Sequence, residues 1–200
     1  LALNVSRKVP SDDQQPVGDD ARRAADAADQ ALIARWLAGD ERAATELVDR
    51  HADALARFAA SMGERTDVEE LVQDTLVRAF GSLDAFRGDS SLRTWLFTIE
   101  RRLMLDRRRS ERRRPERVSV EEGDAVTEFT ALDGMVADEA RVEVLAAVAA
   151  LSPLQREVFT LRVTEGLSYR EIAEIVGSTE GAARVHYHHA MRAVKERLHD

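Results

Sequence analysis

From residue 24 onward the chain is a succession of apolar stripes at spacings of three and four, punctuated by capping residues, glycines and a few prolines. No stretch shows convincing period-two alternation. Such a chain folds into helices, because a three-to-four period gathers apolar groups on one side of a helix but scatters them over both faces of a strand. Leu32, Ile33, Trp36 and Leu37 make the first stripe, ended by Gly39. Asp40 caps a second helix, on which Ala44, Leu47, Val48, His51, Leu55 and Phe58 recur until Gly63. His51 sits on that stripe and reads as a core or boundary histidine, not a ligand. Thr66 and Glu69 form a capping-box signature ahead of Val68, Leu71, Val72, Thr75, Leu76, Ala79 and Phe80, with Gly81 as the stop. After the polar turn Phe86-Arg-Gly-Asp-Ser-Ser91, a fourth helix carries Leu92, Trp95, Leu96, Ile99 and Leu103 and ends near Pro115.

The expected fold class is therefore all-α, in two small helical domains. Residues 1–23 contain Pro10, Pro16 and several aspartates without apolar period, and read as a disordered extension. Residues 24–114 make the first domain. Residues 115–137 contain Gly123, Gly134 and many acids, and read as a flexible acidic linker. In 138–200, Val142, Leu145, Val148 and Ala149 mark one short helix, and Ser152-Pro153 supplies a cap and first-turn proline for the next. Ser168 with Glu171 makes another capping box, Gly177 a helix stop, and Thr179 the cap of a last helix running to about Leu198.

Composition removes several functions. With no cysteine in 200 residues there is no disulfide framework, thiol nucleophile or thiolate metal site. The longest apolar run, Val144 to Leu151, falls far short of the roughly 20 residues that cross a bilayer. No secretion-signal pattern stands at the start, so a cytoplasmic location without membrane insertion is the expectation. The net charge of -8 is distributed unevenly. Residues 87–117 hold 11 basic groups against 5 acidic, while 118–151 hold 1 against 8. A basic block between acidic ones points to a polyanion-binding surface confined to one element, since local potential attracts phosphate.

Ser168 to Leu198 has the layout of a helix-turn-helix, with Gly177-Ser-Thr179 as the turn and Ala173 where the two helices approach. Ala183, Tyr187, Ala190, Val194 and Leu198 form the inward stripe of the last helix. Arg184, Val185, His188 and Arg192 then point outward, flanked by His186 and His189, a set able to reach base edges and phosphates in a major groove. The histidines are a poor metal site, because neighbours two apart on a helix diverge and no carboxylate completes a set. Opposite the apolar face of the third helix stand Glu69, Glu70, Gln73 and Asp74. Glu70 and Asp74 are stacked as in helical metal-dependent pyrophosphatases, but no second carboxylate pair accompanies them, so an enzyme is not expected.

Several strings together resemble one family. They are Asp67-Val-Glu-Glu-Leu-Val-Gln-Asp74 with Phe80, then Phe86-Arg-Gly-Asp-Ser-Ser-Leu-Arg-Thr-Trp-Leu-Phe-Thr-Ile99, then Leu105-Asp-Arg-Arg108. Leu151-Ser-Pro-Leu-Gln-Arg-Glu-Val158, Gly166-Leu-Ser-Tyr-Arg-Glu-Ile-Ala173 and Glu180-Gly181 follow in the same order. The chain resembles the bacterial sigma factors of the extracytoplasmic-function group, which keep only conserved regions 2 and 4 of the sigma-70 family. The resemblance implies a transcription initiation factor, neither an enzyme nor dependent on a cofactor or metal. Its partners would be core RNA polymerase, through the β-prime clamp and the β flap, promoter DNA, and an anti-sigma factor. It assigns Glu69, Glu70, Gln73 and Asp74 to the polymerase clamp. It assigns Arg87, Ser90, Ser91, Arg101, Arg102 and Arg108 to reading and melting the minus-ten element. Thr179, Arg184, Val185, His186, His188, His189 and Arg192 go to the minus-35 element. The sequence differs from many relatives at Ala182 to His186 and at Glu100 and Arg102, so the promoter sequence is not carried over. A stand-alone helix-turn-helix regulator is the alternative, which leaves residues 24–114 unexplained.

Overall fold

The computed structural model describes residues 19–64, 67–113 and 138–198. Eight α-helices follow one another: α1 (Asp19–Leu37), α2 (Glu41–Ser61), α3 (Val68–Phe80), α4 (Leu92–Arg113), α5 (Asp138–Ala149), α6 (Pro153–Val163), α7 (Tyr169–Val176) and α8 (Glu180–Arg197), with a short 3-10 turn at Leu83–Ala85. Among the described residues there is no strand. The expected disordered extension 1–23 is corrected at its end: α1 already runs from Asp19, and the preceding residues lie outside those described. So does the expected linker at 115–137, and so does Thr66 of the expected capping box. Asp67 stands at the N-cap of α3 without a side-chain cap bond.

Local chemistry sets the helix ends. The Asp40 carboxylate accepts from the Arg42 N–H at 3.1 Å, satisfying one of the orphan donors at the start of α2. Gly39, at φ +93°, reverses the chain between α1 and α2 in a conformation that costs a side-chain-bearing residue dearly. Inside the first group of helices, Phe58 of α2 meets Phe97 of α4 edge-on at 5.3 Å, and Trp36 of α1 meets Phe80 of α3 at 5.4 Å. Leu55, Leu71 and Leu96 fill the space around them. His51 is buried, as its stripe implied, and its Nε2 lies 3.0 Å from Asp29 of α1. Burial pushes the Asp29 carboxyl upward, but His51 and Arg50 outweigh it and hold the group below the ordinary carboxylate range. This cross-link therefore stabilises the fold at neutral pH and is lost as acid titrates Asp29.

In the second group, α6 and α7 pack on α8, and α5 closes its far end through Ala147, Leu151, Phe159, Ala190 and Val194. The two groups do not stand apart. α7 packs on α4 and α6 on α2, and the apolar cluster around Phe58 and Phe97 continues without a break into Val158, Leu161, Leu167 and Ile172.

Candidate polymerase and promoter interfaces

On α3, the inner face consists of Leu71, Val72, Thr75, Leu76 and Ala79, all buried. Its outer face leaves Glu69, Glu70 and Gln73 exposed and Asp74 half-buried. Arg107 reaches across from α4 and donates to Asp74 at 2.8 Å, with Glu70 at 3.5 Å. Val77 continues this face and is 64% exposed. The carboxylates thus stand on the solvent side of α3, and Arg107 compensates them only in part.

The basic block begins on the loop before α4. Arg87 is exposed and Gly88 takes φ +73° to turn the chain. Ser91 is half-buried, accepts from the Thr94 N–H at 3.1 Å and donates to Thr94 Oγ1 at 2.9 Å, so it caps α4. Ser90 is half-buried beside it, and Trp95 stacks on Phe86 at 5.0 Å, fastening the loop to the helix. Arg102 is exposed. Arg108 donates to the Met62 carbonyl at 2.6 Å, and Arg101 donates to Glu157 of α6 at 2.7 Å. Of the four arginines expected on the minus-ten surface, Arg87 and Arg102 face solvent, and Arg101 is held by a carboxylate of the second helical group.

The helix-turn-helix is built as its residues imply. Ser168 N–H donates to Glu171 at 2.8 Å and Glu171 N–H returns to Ser168 Oγ at 3.3 Å. Gly177 adopts φ +69°, and Thr179 Oγ1 accepts from the Ala182 N–H at 3.2 Å. Ala183, Ala190 and Val194 are buried, whereas Leu198, expected on the inward stripe, stands past the end of α8 and is 36% exposed. Thr179, Val185, His188, His189 and Arg192 face outward, and His186 is half-buried. Arg184 leans over the Tyr169 ring of α7 at 5.0 Å, which also carries Arg162 at 4.6 Å, and it lies 3.6 Å from Glu180. Arg192 pairs with Glu196 at 2.9 Å, one turn on.

The comparisons with known proteins now bear on these surfaces. The family model described as sigma-70 region 2 matches residues 47–114, and the one described as sigma-70, region 4 matches residues 141–194. The ECF RNA polymerase sigma-E factor of Escherichia coli (strain K12) is 31% identical over 179 residues, which cover 85% of this chain and 94% of that relative. The chain belongs to the extracytoplasmic-function sigma factors. Among solved structures, CnrH in complex with the cytosolic domain of CnrY is 32% identical, covers 86% of this chain and 97% of its own, and superposes with a TM-score of 0.62. The sigma factor RpoE in complex with the anti-sigma factor NepR from Bartonella quintana is 28% identical, covers 77% and 95%, and gives 0.60. Region 2 of this sigma factor thus spans most of α2 through α4, and region 4 spans α5 to α8.

Sequence reasoning missed a fourth cluster, between the two regions. Glu165, in the turn after α6, has a fully buried carboxylate held by Arg57 of α2 at 3.1 and 3.2 Å and by Arg93 of α4. Arg93 also donates to the Glu165 carbonyl at 3.0 Å. Arg22 of α1 donates to Glu171 at 3.0 Å and to the Gly166 carbonyl, and Thr94 Oγ1 lies 3.4 Å from Glu171. Nothing in the spacing of these residues marks them, since each pair joins positions 72 to 149 apart in the chain.

Proposed function

We propose that this sigma factor lends promoter choice to core RNA polymerase through three surfaces, each set on a rigid helix. The outer face of α3, with Glu69, Glu70, Gln73 and Asp74, docks on the β-prime clamp, and region 4 meets the β flap. Arg87, Ser90 and Ser91 with Arg101, Arg102 and Arg108 serve the minus-ten element. A short polar loop suits a base turned out of the duplex, and arginines along α4 suit the phosphates of the opened strand. The exposed face of α8 enters the major groove at the minus-35 element with Arg184, Val185 and His188 toward base edges and Arg192 toward phosphate. The observation that carries the reading is the union, on one chain, of a capped helix-turn-helix with a region 2 that exposes Glu69, Glu70 and Gln73 on α3 and Arg87 and Arg102 before and on α4. A stand-alone regulator has no use for the first four helices. The chain acts without catalysis of its own, in the cytoplasm where polymerase and promoter are found, and an anti-sigma factor restrains it, as CnrH and RpoE were captured with protein partners.

The test is co-purification with core polymerase followed by runoff transcription on genomic fragments. Discrete transcripts that require both the chain and core polymerase are expected. Specific duplex binding by the chain alone, with no association with core polymerase, would replace this reading by the stand-alone regulator.

A further inference from the structure

Tyr169 is the first residue of α7, directly after the Ser168 cap, and it is buried. Two guanidinium groups lie over its one ring, Arg162 of α6 at 4.6 Å and Arg184 of α8 at 5.0 Å. Both stand within the ~6 Å over which the negative face of an aromatic ring attracts a cation. The ring itself is fixed from two sides. Reciprocal bonds between Ser168 and Glu171 set the start of α7, and Tyr187 of α8 meets Tyr169 edge-on at 5.8 Å. Arg162 is committed to the turn between α6 and α7, where it donates to the Leu167 carbonyl at 2.8 Å. Arg184 has one further tie, to Glu180 one turn back on α8, at 3.6 Å and with both side chains substantially exposed. An exposed pair of this kind holds an arginine weakly, so the buried ring is the stronger constraint on where the guanidinium stands. An aliphatic side chain would fill the same core position but offer no such face.

We propose that Tyr169 is a positioning residue for base readout, its ring holding the Arg184 guanidinium in place before DNA arrives. This role rests on the assignment of Arg184 to a base edge. Arginine has a long, rotamer-rich side chain, and a free one loses that freedom when it docks on a base. Held over a ring beforehand, it loses less, and the contact is tighter and more selective for it. The kind of tether matters as well. A carboxylate takes up the N–H donors that a base edge needs, whereas an aromatic face attracts the charge and leaves the donors of the planar fork for bidentate contact. Arg162 is a like charge on the same ring and repels Arg184, so without the aromatic face the two cations would move apart. The tie also runs from α7 to α8 across the turn at Gly177, which references the reader to the whole helix-turn-helix and not to its own helix alone.

Two measurements on the full chain test this. In heteronuclear NMR of the isotope-labelled chain, the Arg184 Nε–Hε resonance is identified by its loss in Arg184→Ala. A guanidinium over an aromatic face is shielded, so this resonance should lie upfield of those of exposed Arg87 and Arg102. It should stay there in Tyr169→Phe and move to the exposed position in Tyr169→Leu. An unshifted resonance in the wild type would overturn the proposal without any variant, and so would a shift that survives in Tyr169→Leu. The second measurement is runoff transcription by core polymerase from randomised upstream elements. Tyr169→Leu should relax preference by about three- to tenfold at the same base pair as Arg184→Ala, and Tyr169→Phe should keep it. Added to Arg184→Ala, Tyr169→Leu should change base preference no further, since a positioning residue has no effect once its reader is gone. A loss spread evenly over all base pairs, or one that adds to that of Arg184→Ala, would show a structural role only and overturn the positioning. Tyr169→Met, which keeps more of the volume without a ring, replaces Tyr169→Leu should the latter fail to fold by circular dichroism. No change at any base pair in Arg184→Ala removes α8 from base reading and the positioning with it. A relaxed preference in Arg184→Ala beside a wild-type preference in Tyr169→Leu removes the positioning alone.

Discussion

Glu100 is the residue whose surroundings and chemistry conflict most. It is fully buried on α4, and neither carboxylate oxygen has a hydrogen-bond partner. The nearby cations are committed elsewhere: Arg101 to Glu157, and Arg57 and Arg93 to Glu165. Burial, and then the negative charge of Glu165, push its carboxyl well above the ordinary value of 4.5. A raised acid holds its proton more tightly in the folded chain than in the unfolded one, so its contribution is present below the unfolded pKa and is lost as pH rises through the folded one. Glu100→Gln should therefore raise the melting temperature at pH 8 and bring little change at pH 4, as followed by circular dichroism. An equal gain at both pH values would mean that Glu100 is not protonated in the folded chain. On α8, the proposed base readers and the proposed phosphate partner are told apart residue by residue. Arg184→Ala and His188→Ala should each cost about 1–3 kcal/mol at one base pair and change which upstream bases matter in runoff transcription from randomised elements. Arg192→Ala should lower output on all promoters alike, since a phosphate contact is blind to sequence. Identical base preferences for wild type and the first two variants would remove α8 from base reading.

Among the elements, α3 and the turn before α8 show how a helix is made to serve a surface. The outer face of α3 is charged and its inner face apolar, so the outer face is free to change without loss of the core. Charge reversal by Glu70→Lys/Asp74→Lys should weaken binding to core polymerase by several kcal/mol, the scale of a like-charge clash across an interface. Part of the effect will be a modest drop in stability, because Arg107 now holds Asp74 at 2.8 Å and would face a lysine. Undiminished competition for core polymerase by the double variant would move the docking surface elsewhere. In the turn, Gly177 sits at φ +69° with nothing within 4 Å of where a Cβ would stand. Gly177→Ala therefore meets backbone strain alone, about 1–2 kcal/mol. Thr179→Ala should cost about 1 kcal/mol through the lost cap to Ala182. Both are read by chemical denaturation, and together they test whether the angle of α8 depends on its own local bonds.

For the whole molecule, the shared apolar cluster and the cross-region ion pairs make the two regions one body in the free state. A specific protease site placed between residues 118 and 137 should, after cleavage, give two fragments that still co-elute on size exclusion. Glu157→Gln/Glu165→Gln should let the same fragments separate. Separation of the wild-type fragments would mean that the two regions associate only through the intact chain.

What the sequence by itself determined is everything that local chemistry decides. The helices follow from the three-to-four spacing of apolar residues, their ends from Asp40, Ser168 and Thr179 as caps and from Gly39 and Gly177 at positive φ. The outward faces of α3 and α8 follow from the same spacing, because an amphipathic helix has one way to bury its stripe. Arg101 shows where that reasoning stops. Its place in the basic block reads as that of a phosphate partner, and nothing nearby in the chain says that Glu157 already holds it. Glu100, with Leu96, Phe97, Leu103 and Met104 three and four residues to either side, is marked for burial by the same spacing, but Glu165, Arg57, Arg93 and Arg22 are ordinary surface types in sequence. Only the tertiary structure decides these positions, since a contact between residues 56 to 149 apart depends on how two separately formed helical groups meet and not on any local preference.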